Sequence, residues 1–179
     1  MEENGLGKVG RKLLSYIMVK FRRHVFGMCT YYLYEKVLDE DVEPLSIPSA
    51  YTYTFHKQSD LIKFHIYRGN ALAHTTSIAF TNKAKQKIDM IPYKVSFSEG
   101  EVCSGGSYTI PQYRNRGLYS LVYPHIFYYL YLEGYKLDKA SVNKNNKISI
   151  HVHEKLGFKR IGEGFYLNIL GLKIWREKR

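Results

Sequence analysis

The segment "SYTIPQYRNRGLYSLVYPHIFYYLYLEGY", residues 107–135, admits few folds. An extended run stops at Pro111, which has no N–H for a strand ladder. Arg114, Asn115 and Arg116 lead into Gly117, and an apolar stretch then continues to Gly134. A strand that passes into a long helix through one basic, glycine-bearing turn belongs to an α/β architecture. The first turn of such a helix carries four backbone N–H groups without intrahelical partners, at the positive end of the helix dipole. That arrangement suits an anion, phosphate above all. Glycine at 117 lets a ligand approach the backbone with no Cβ in the way, and the arginines add positive potential. A plain exposed basic turn has the same appearance in isolation, and neither GxxxxGK[ST] nor GxGxxG is present.

The flanking sequence supplies the rest of the domain. Leu6, Leu13, Leu14, Ile17, Phe21 and Val25 fall on one side at about 100° per residue, opposite Lys8, Arg11, Lys12, Arg22 and Arg23, so residues 6–26 are expected to form a basic amphipathic helix. The acidic, proline-bearing stretch Asp39–Ser49 reads as a linker. These two pieces make an N-terminal unit, 1–48, ahead of a domain spanning 49–179. Within the domain, "AYTYTF" alternates as a strand. "SDLIKFHIYRG" has a capping residue and a terminal glycine that favour a short helix over a strand. "ALAHTTSIAF" is a strand, and "YKVSFSEGEVCSGGSYTI" reads as a hairpin turning at Ser98–Gly100. A helix from Gly117 to Glu133 follows, then the strand "KLDKASV" and a helix in "NNKISIHVHEKLGF" capped by Asn145 or Asn146. Two strands end the chain. Pro124 lies inside the long helix and costs it a hydrogen bond.

Composition narrows the function classes. The net charge is +11, and 15% of residues are aromatic, which fits nucleic acid, an anionic membrane or a phosphorylated ligand. The positive charge gathers at the two chain ends, where a solvated face is the ordinary explanation, and no nucleic-acid-binding motif appears. Nucleic acid is therefore not an expected partner. Two cysteines are too few for a disulfide framework or a zinc site, and no apolar run reaches the roughly 20 residues of a bilayer span. A reducing, cytoplasmic setting is expected, with no metal. The N-terminal helix is expected to dock on the domain, or on a second copy in a homodimer, with membrane contact weak at best.

"YTIPQYRNRGLYS" resembles motif A of the GNAT superfamily of N-acetyltransferases, in which a strand and an R-x-x-G-x-G/A loop open a helix. "SVNKNNKISIHVHEKLGFKRIGEGF", about 30 residues further on, resembles motif B. The likeness covers roughly residues 50–175. It implies a mixed, mostly antiparallel sheet flanked by helices, with acetyl-CoA as co-substrate lying between two splayed parallel strands, "SGGSYTI" and "KLDKASV". It implies that the pantetheine arm pairs with the backbone of Tyr108, Thr109 and Ile110. The pyrophosphate would rest on backbone N–H groups of Asn115, Arg116, Gly117, Leu118, Tyr119 and Ser120, and Asn146 would hydrogen-bond the arm. Tyr119 departs from the pattern, standing where Gly or Ala is usual; with its side chain outward, the backbone donors would still serve.

Acyl transfer to an amine needs a neutral amine, a polarised thioester and a proton for the leaving thiolate. The resemblance puts His153 where relatives carry a proton-donating tyrosine, and an imidazole can do that work near neutral pH. The positions of a usual glutamate base hold Cys103, Gly106 and Ser141, which leaves Glu101, Tyr108 and His125 as substitutes. The expected activity is acetyl transfer to a primary amine of a small molecule, with an amino sugar of cell-surface polysaccharide assembly as the first choice. A non-catalytic acyl-CoA-binding module and a protein N-acetyltransferase are the alternatives.

Overall fold

A computed structural model describes residues 26–40, 44 and 46–178. The expected N-terminal amphipathic helix lies outside the described residues. Among the described residues eight strands form one sheet: β1 (Phe26–Val37), β2 (Thr52–Lys57), β3 (Leu61–Arg68), β4 (Ala71–Ala79), β5 (Glu101–Thr109), β6 (Leu137–Asn143), β7 (Lys159–Ile169) and β8 (Leu172–Lys178). Helix α1 (Asn82–Ile88) follows β4, α2 (Leu118–Leu132) follows β5, and α3 (Lys147–Lys155) joins β6 to β7. The spatial order is β2-β3-β4-β5-β6-β1-β7-β8. Every neighbouring pair is antiparallel except β5 and β6. The mixed, mostly antiparallel sheet flanked by helices is thus the observed architecture.

Apolar residues of β3 that alternate along the strand, Ile62, Phe64 and Ile66, are fully buried on the face covered by α2. They meet Val122, Ile126 and Leu130 there, each four residues from the next and so on one face of the helix. A smaller cluster on the other face joins Leu33, Ala79 and Cys103 to Ala84 of α1 and to Ile91, Tyr93 and Val95.

Three expectations are corrected. "SDLIKFHIYRG" is strand β3, because its period-two burial, Ile62-Phe64-Ile66 in and Lys63 out, is satisfied by pairing with β2 and β4 on either side. The first arm of the expected hairpin is not a strand. Residues 91–95 alternate in burial because they lie across a sheet face, and Pro92 would break a ladder. The division at residue 48 also fails for residues 26–37, since β1 sits inside the sheet between β6 and β7. A strand arriving from before the linker completes the domain, so 26–37 belong to it.

Candidate active site

Strands β5 and β6 pair in parallel only through Glu101–Leu137, Val102–Asp138 and Cys103–Lys139. Beyond that both continue, β5 to Thr109 and β6 to Asn143, and a gap opens between them. Two glycines drive the divergence. Gly106 has φ +61°, a backbone that side-chain-bearing residues rarely adopt, next to the bulge where the β4–β5 register slips between Thr75 and Ser77. Gly105 lets the end of α1 press on the strand: a Cβ there would lie 3.0 Å from the Ile88 carbonyl oxygen.

The gap is a cavity of about 660 Å³ walled by Ser104–Thr109 of β5, the loop and first turn of α2, Ala140 and Ser141 of β6, and α3. Of the residues assigned to the cofactor, Tyr108, Thr109, Asn115, Arg116, Gly117, Leu118, Tyr119, Ser120 and Asn146 line it, and so does His153. Ile110 does not. Its N–H donates to the Ala73 carbonyl at 3.0 Å, so that amide faces β4. By the alternation of an antiparallel ladder, Thr109 then turns its amide toward the gap. The Thr109 carbonyl there accepts from Arg114 Nε at 3.1 Å.

At the mouth, Gly117 takes the N-cap position with φ +69°, and no side chain caps the helix. The amides of Leu118, Tyr119 and Ser120 therefore begin α2 without intrahelical acceptors, facing a cavity. Arg114 lies over the Tyr108 ring and Arg116 over the Tyr113 ring, at 5.7 and 5.8 Å, which keeps both guanidinium groups beside that helix end. The site can take a phosphate through backbone donors and positive potential. On the opposite wall the Asn146 side chain accepts from Ser149 N–H at 3.1 Å and so caps α3.

Tyr119 corrects an expectation: its side chain points inward. The ring stacks on Tyr123 at 4.4 Å and meets His74 edge-on at 5.8 Å, and its hydroxyl reaches His153 Nε2 at 3.1 Å. His153 Nδ1 lies 2.7 Å from the Ser149 carbonyl, which can only accept, so Nδ1 carries the proton and Nε2 accepts from Tyr119. His153 is buried, and desolvation pushes its pKa below the ordinary histidine value, with the Ser149 bond opposing. Burial likewise raises the Tyr119 phenol well above its usual range.

Two further buried groups flank the gap. His74, fully buried, has Nδ1 2.8 Å from Thr109 Oγ1 and, among the described residues, no partner at Nε2; burial lowers its pKa to about 4. Asp138, also fully buried, accepts from Ser104 N–H at 3.0 Å through Oδ1, and burial lifts its pKa to about 8. Of the substitute bases, Glu101 is paired with Lys139 at 2.8 Å, Tyr108 is half exposed under Arg114, and His125 packs against Tyr53. Sequence reasoning missed Ser149 and Tyr123. Each lies one helical turn from a residue already singled out, His153 and Tyr119, and that i,i+4 spacing was the available signal.

No family model matches the sequence, and a search of curated proteins finds no match. Solved structures do resemble it. A GCN5-related N-acetyltransferase from Kribbella flavida superposes with TM-score 0.57 at 14% identity, covering 89% of this chain and 64% of the other. A GCN5-related N-acetyltransferase from Sphaerobacter thermophilus gives 0.58 at 11% identity, covering 91% and 56%. A tandem GNAT protein from the clavulanic acid biosynthesis pathway, solved without acetyl-CoA, gives 0.60 at 13% identity, covering 89% and 58%. The chain spans less than two thirds of the length of each of these structures. Its fold is the GNAT fold. Among the described residues no helix is long and apolar enough to cross a membrane.

Proposed function

We propose that the chain is an acetyl-CoA-dependent N-acetyltransferase acting on a primary amine of a small molecule. The observation that carries this is the gap between β5 and β6, which runs from the uncapped, arginine-flanked start of α2 to the last paired residues of two parallel strands. An acyl-CoA fits the gap by chemistry. The α2 amides from Leu118 onward and the two arginines serve the pyrophosphate, and the outward amide of Thr109 serves the pantetheine arm. Asn146 stands on the opposite wall. Acetyl-CoA supplies the activated acyl group.

His153 is the residue we assign to the leaving thiolate. As the structure stands its Nε2 accepts from Tyr119, and the neutral form dominates. A thiolate forming within about 4–6 Å would favour the imidazolium and offset the burial penalty. Proton donation then requires the Tyr119 hydroxyl to leave Nε2.

Among acceptors, an amino sugar, including nucleotide-linked ones whose phosphates suit a basic protein, is the first to test. The deciding experiment is thiol release from acetyl-CoA across a panel of amino sugars, polyamines, aminoglycosides and a peptide with a free N-terminus. Amine-dependent release with formation of the N-acetyl product supports the reading. Tight acetyl-CoA binding with no release for any amine points to an acyl-CoA-binding module, a reading that the Tyr119–His153 contact across the gap favours.

A further inference from the structure

We propose that Ser141 and Asp89 form the proton-accepting pair for the acceptor amine, Ser141 facing the gap and Asp89 standing behind it from the other side of the sheet. The inference rests on the N-acetyltransferase reading and names the base which that reading lacks.

Ser141 lies on β6 two residues past the last parallel pair, Cys103–Lys139, and lines the gap. Its hydroxyl donates to Asp89 Oδ2 at 2.8 Å. With its proton so directed, the oxygen has only acceptor capacity left for the gap, which is what an amine N–H requires. Asp89 belongs to neither strand. It follows α1, whose last turn is pressed against Gly105, and so it reaches across the place where β5 and β6 part. Ile91 N–H donates to its Oδ1 at 2.9 Å and the Tyr93 hydroxyl to its Oδ2 at 3.0 Å. The other ionisable groups packed around it are Tyr31 of β1, Cys103 of β5 at 3.2 Å from the Tyr93 oxygen, and Lys85 of α1. The Lys85 ammonium lies over the Tyr93 ring and donates to the Ile91 carbonyl. No ion pair engages the Asp89 carboxylate among the described residues. Of the other hydroxyls lining the gap, Ser107 is bonded to Thr76 and Tyr119 to His153.

The step balances. The amine nitrogen attacks the thioester carbonyl carbon, forming the C–N bond. An N–H proton of the adduct passes to Ser141 Oγ as the Ser141 proton passes to Asp89 Oδ2. The C–S bond breaks and the sulfur leaves with the electron pair. His153, having taken a proton from solvent at Nε2 once the Tyr119 hydroxyl has left it, passes that proton to the thiolate, and Asp89 returns its own to solvent. One amide and one thiol result, with no net charge. Ser141 would touch the amine; Asp89 is a positioning residue and proton store that acts through it.

The test compares Ser141→Ala, Ser141→Thr and Asp89→Asn with the parent protein, using the best amine of the panel. Asn keeps an acceptor for Ile91 N–H but takes no proton. We expect Ser141→Ala and Asp89→Asn to lower kcat at neutral pH by about a hundredfold, the low end of general-base effects. Acetyl-CoA affinity and melting temperature should hold, and both variants should gain rate with pH after the parent has levelled off. Ser141→Thr, which restores a hydroxyl, should stay within about threefold of the parent. The inference is overturned if Ser141→Ala stays within about threefold of the parent across pH. A loss confined to Asp89→Asn, with a lowered melting temperature, also overturns it, since Asp89 would then only clamp its turn. If the parent releases no thiol with any amine, the enzyme reading falls and this one with it. Turnover by the parent with unaffected variants removes this inference alone.

Discussion

The hydroxyl of Tyr119 lies 3.1 Å from Nε2 of His153, so a side chain on the first turn of α2 is bonded to one on α3 across the gap between the diverging strands. A bond between opposite walls opposes anything that must pass between them. Tyr119→Ala should therefore bind acetyl-CoA at least as tightly as the parent, although it loses buried aromatic contacts with Tyr123 and His74. Calorimetry on the folded variant decides this; an affinity loss of about tenfold would make Tyr119 part of the cofactor's seat.

His153→Phe keeps the ring contacts with Tyr34 and Phe158 while removing both nitrogens. If His153 carries the leaving-group proton, kcat should fall by about a hundredfold, with acetyl-CoA affinity little changed. Single-turnover kinetics with the best amine is the measurement. A fall in affinity and kcat together would assign His153 to shaping the wall.

A Cβ at Gly117 would meet nothing within 4 Å, so any effect of substitution must come from the backbone. At φ +69° a valine is strained, and relaxing it would turn the first amides of α2 away from the cavity. Gly117→Val should weaken acetyl-CoA binding about tenfold, or about 1.4 kcal/mol. Unchanged affinity would move the pyrophosphate elsewhere.

Asp138 and His74 make opposite pH signatures. The Asp138 carboxyl, with folded pKa about 8, holds a proton that the unfolded chain has released, so its contribution to stability falls as pH rises from the unfolded value toward 8. His74, with folded pKa about 4, stays neutral where the unfolded chain is protonated, so its contribution falls as pH drops from about 6.5 through 4. Between about pH 4 and 6.5 the two offset each other; above it Asp138 acts alone and removes about 2 kcal/mol by pH 8. Denaturant titrations of the parent and Asp138→Asn should show the difference growing over that upper interval. Parallel curves would mean Asp138 is ionised in the fold.

The single tryptophan, Trp175 on β8, covers Gly164 on β7; a Cβ at 164 would fall 1.7 Å from its ring. Gly164→Ala must push the indole aside and should cost about 1–3 kcal/mol. A changed tryptophan emission maximum with a lowered melting temperature is the expected pair of readings.

Local chemistry in the chain determined the handover from β5 to α2, with Gly117 and Glu133 bounding the helix, and the Asn146 cap of α3. Pro, Gly and Asn act on their own backbone or on donors three residues away, so a linear reading finds them. The position of β1 could not be found that way. Its place between β6 and β7 depends on edge hydrogen bonds offered by strands more than a hundred residues later in the chain. The β3 segment, with a helix-like cap and stop, became a strand for the same reason: two neighbours supply the ladder that local propensity does not. At the site, residue types were legible and directions were not. Tyr119 turns inward because Tyr123, His74 and His153 form a buried polar and aromatic seat for it. Asp89 meets Ser141 only because α1 packs on Gly105. Contacts between residues 52 positions apart belong to the packed sheet, whose burial and register no local preference specifies.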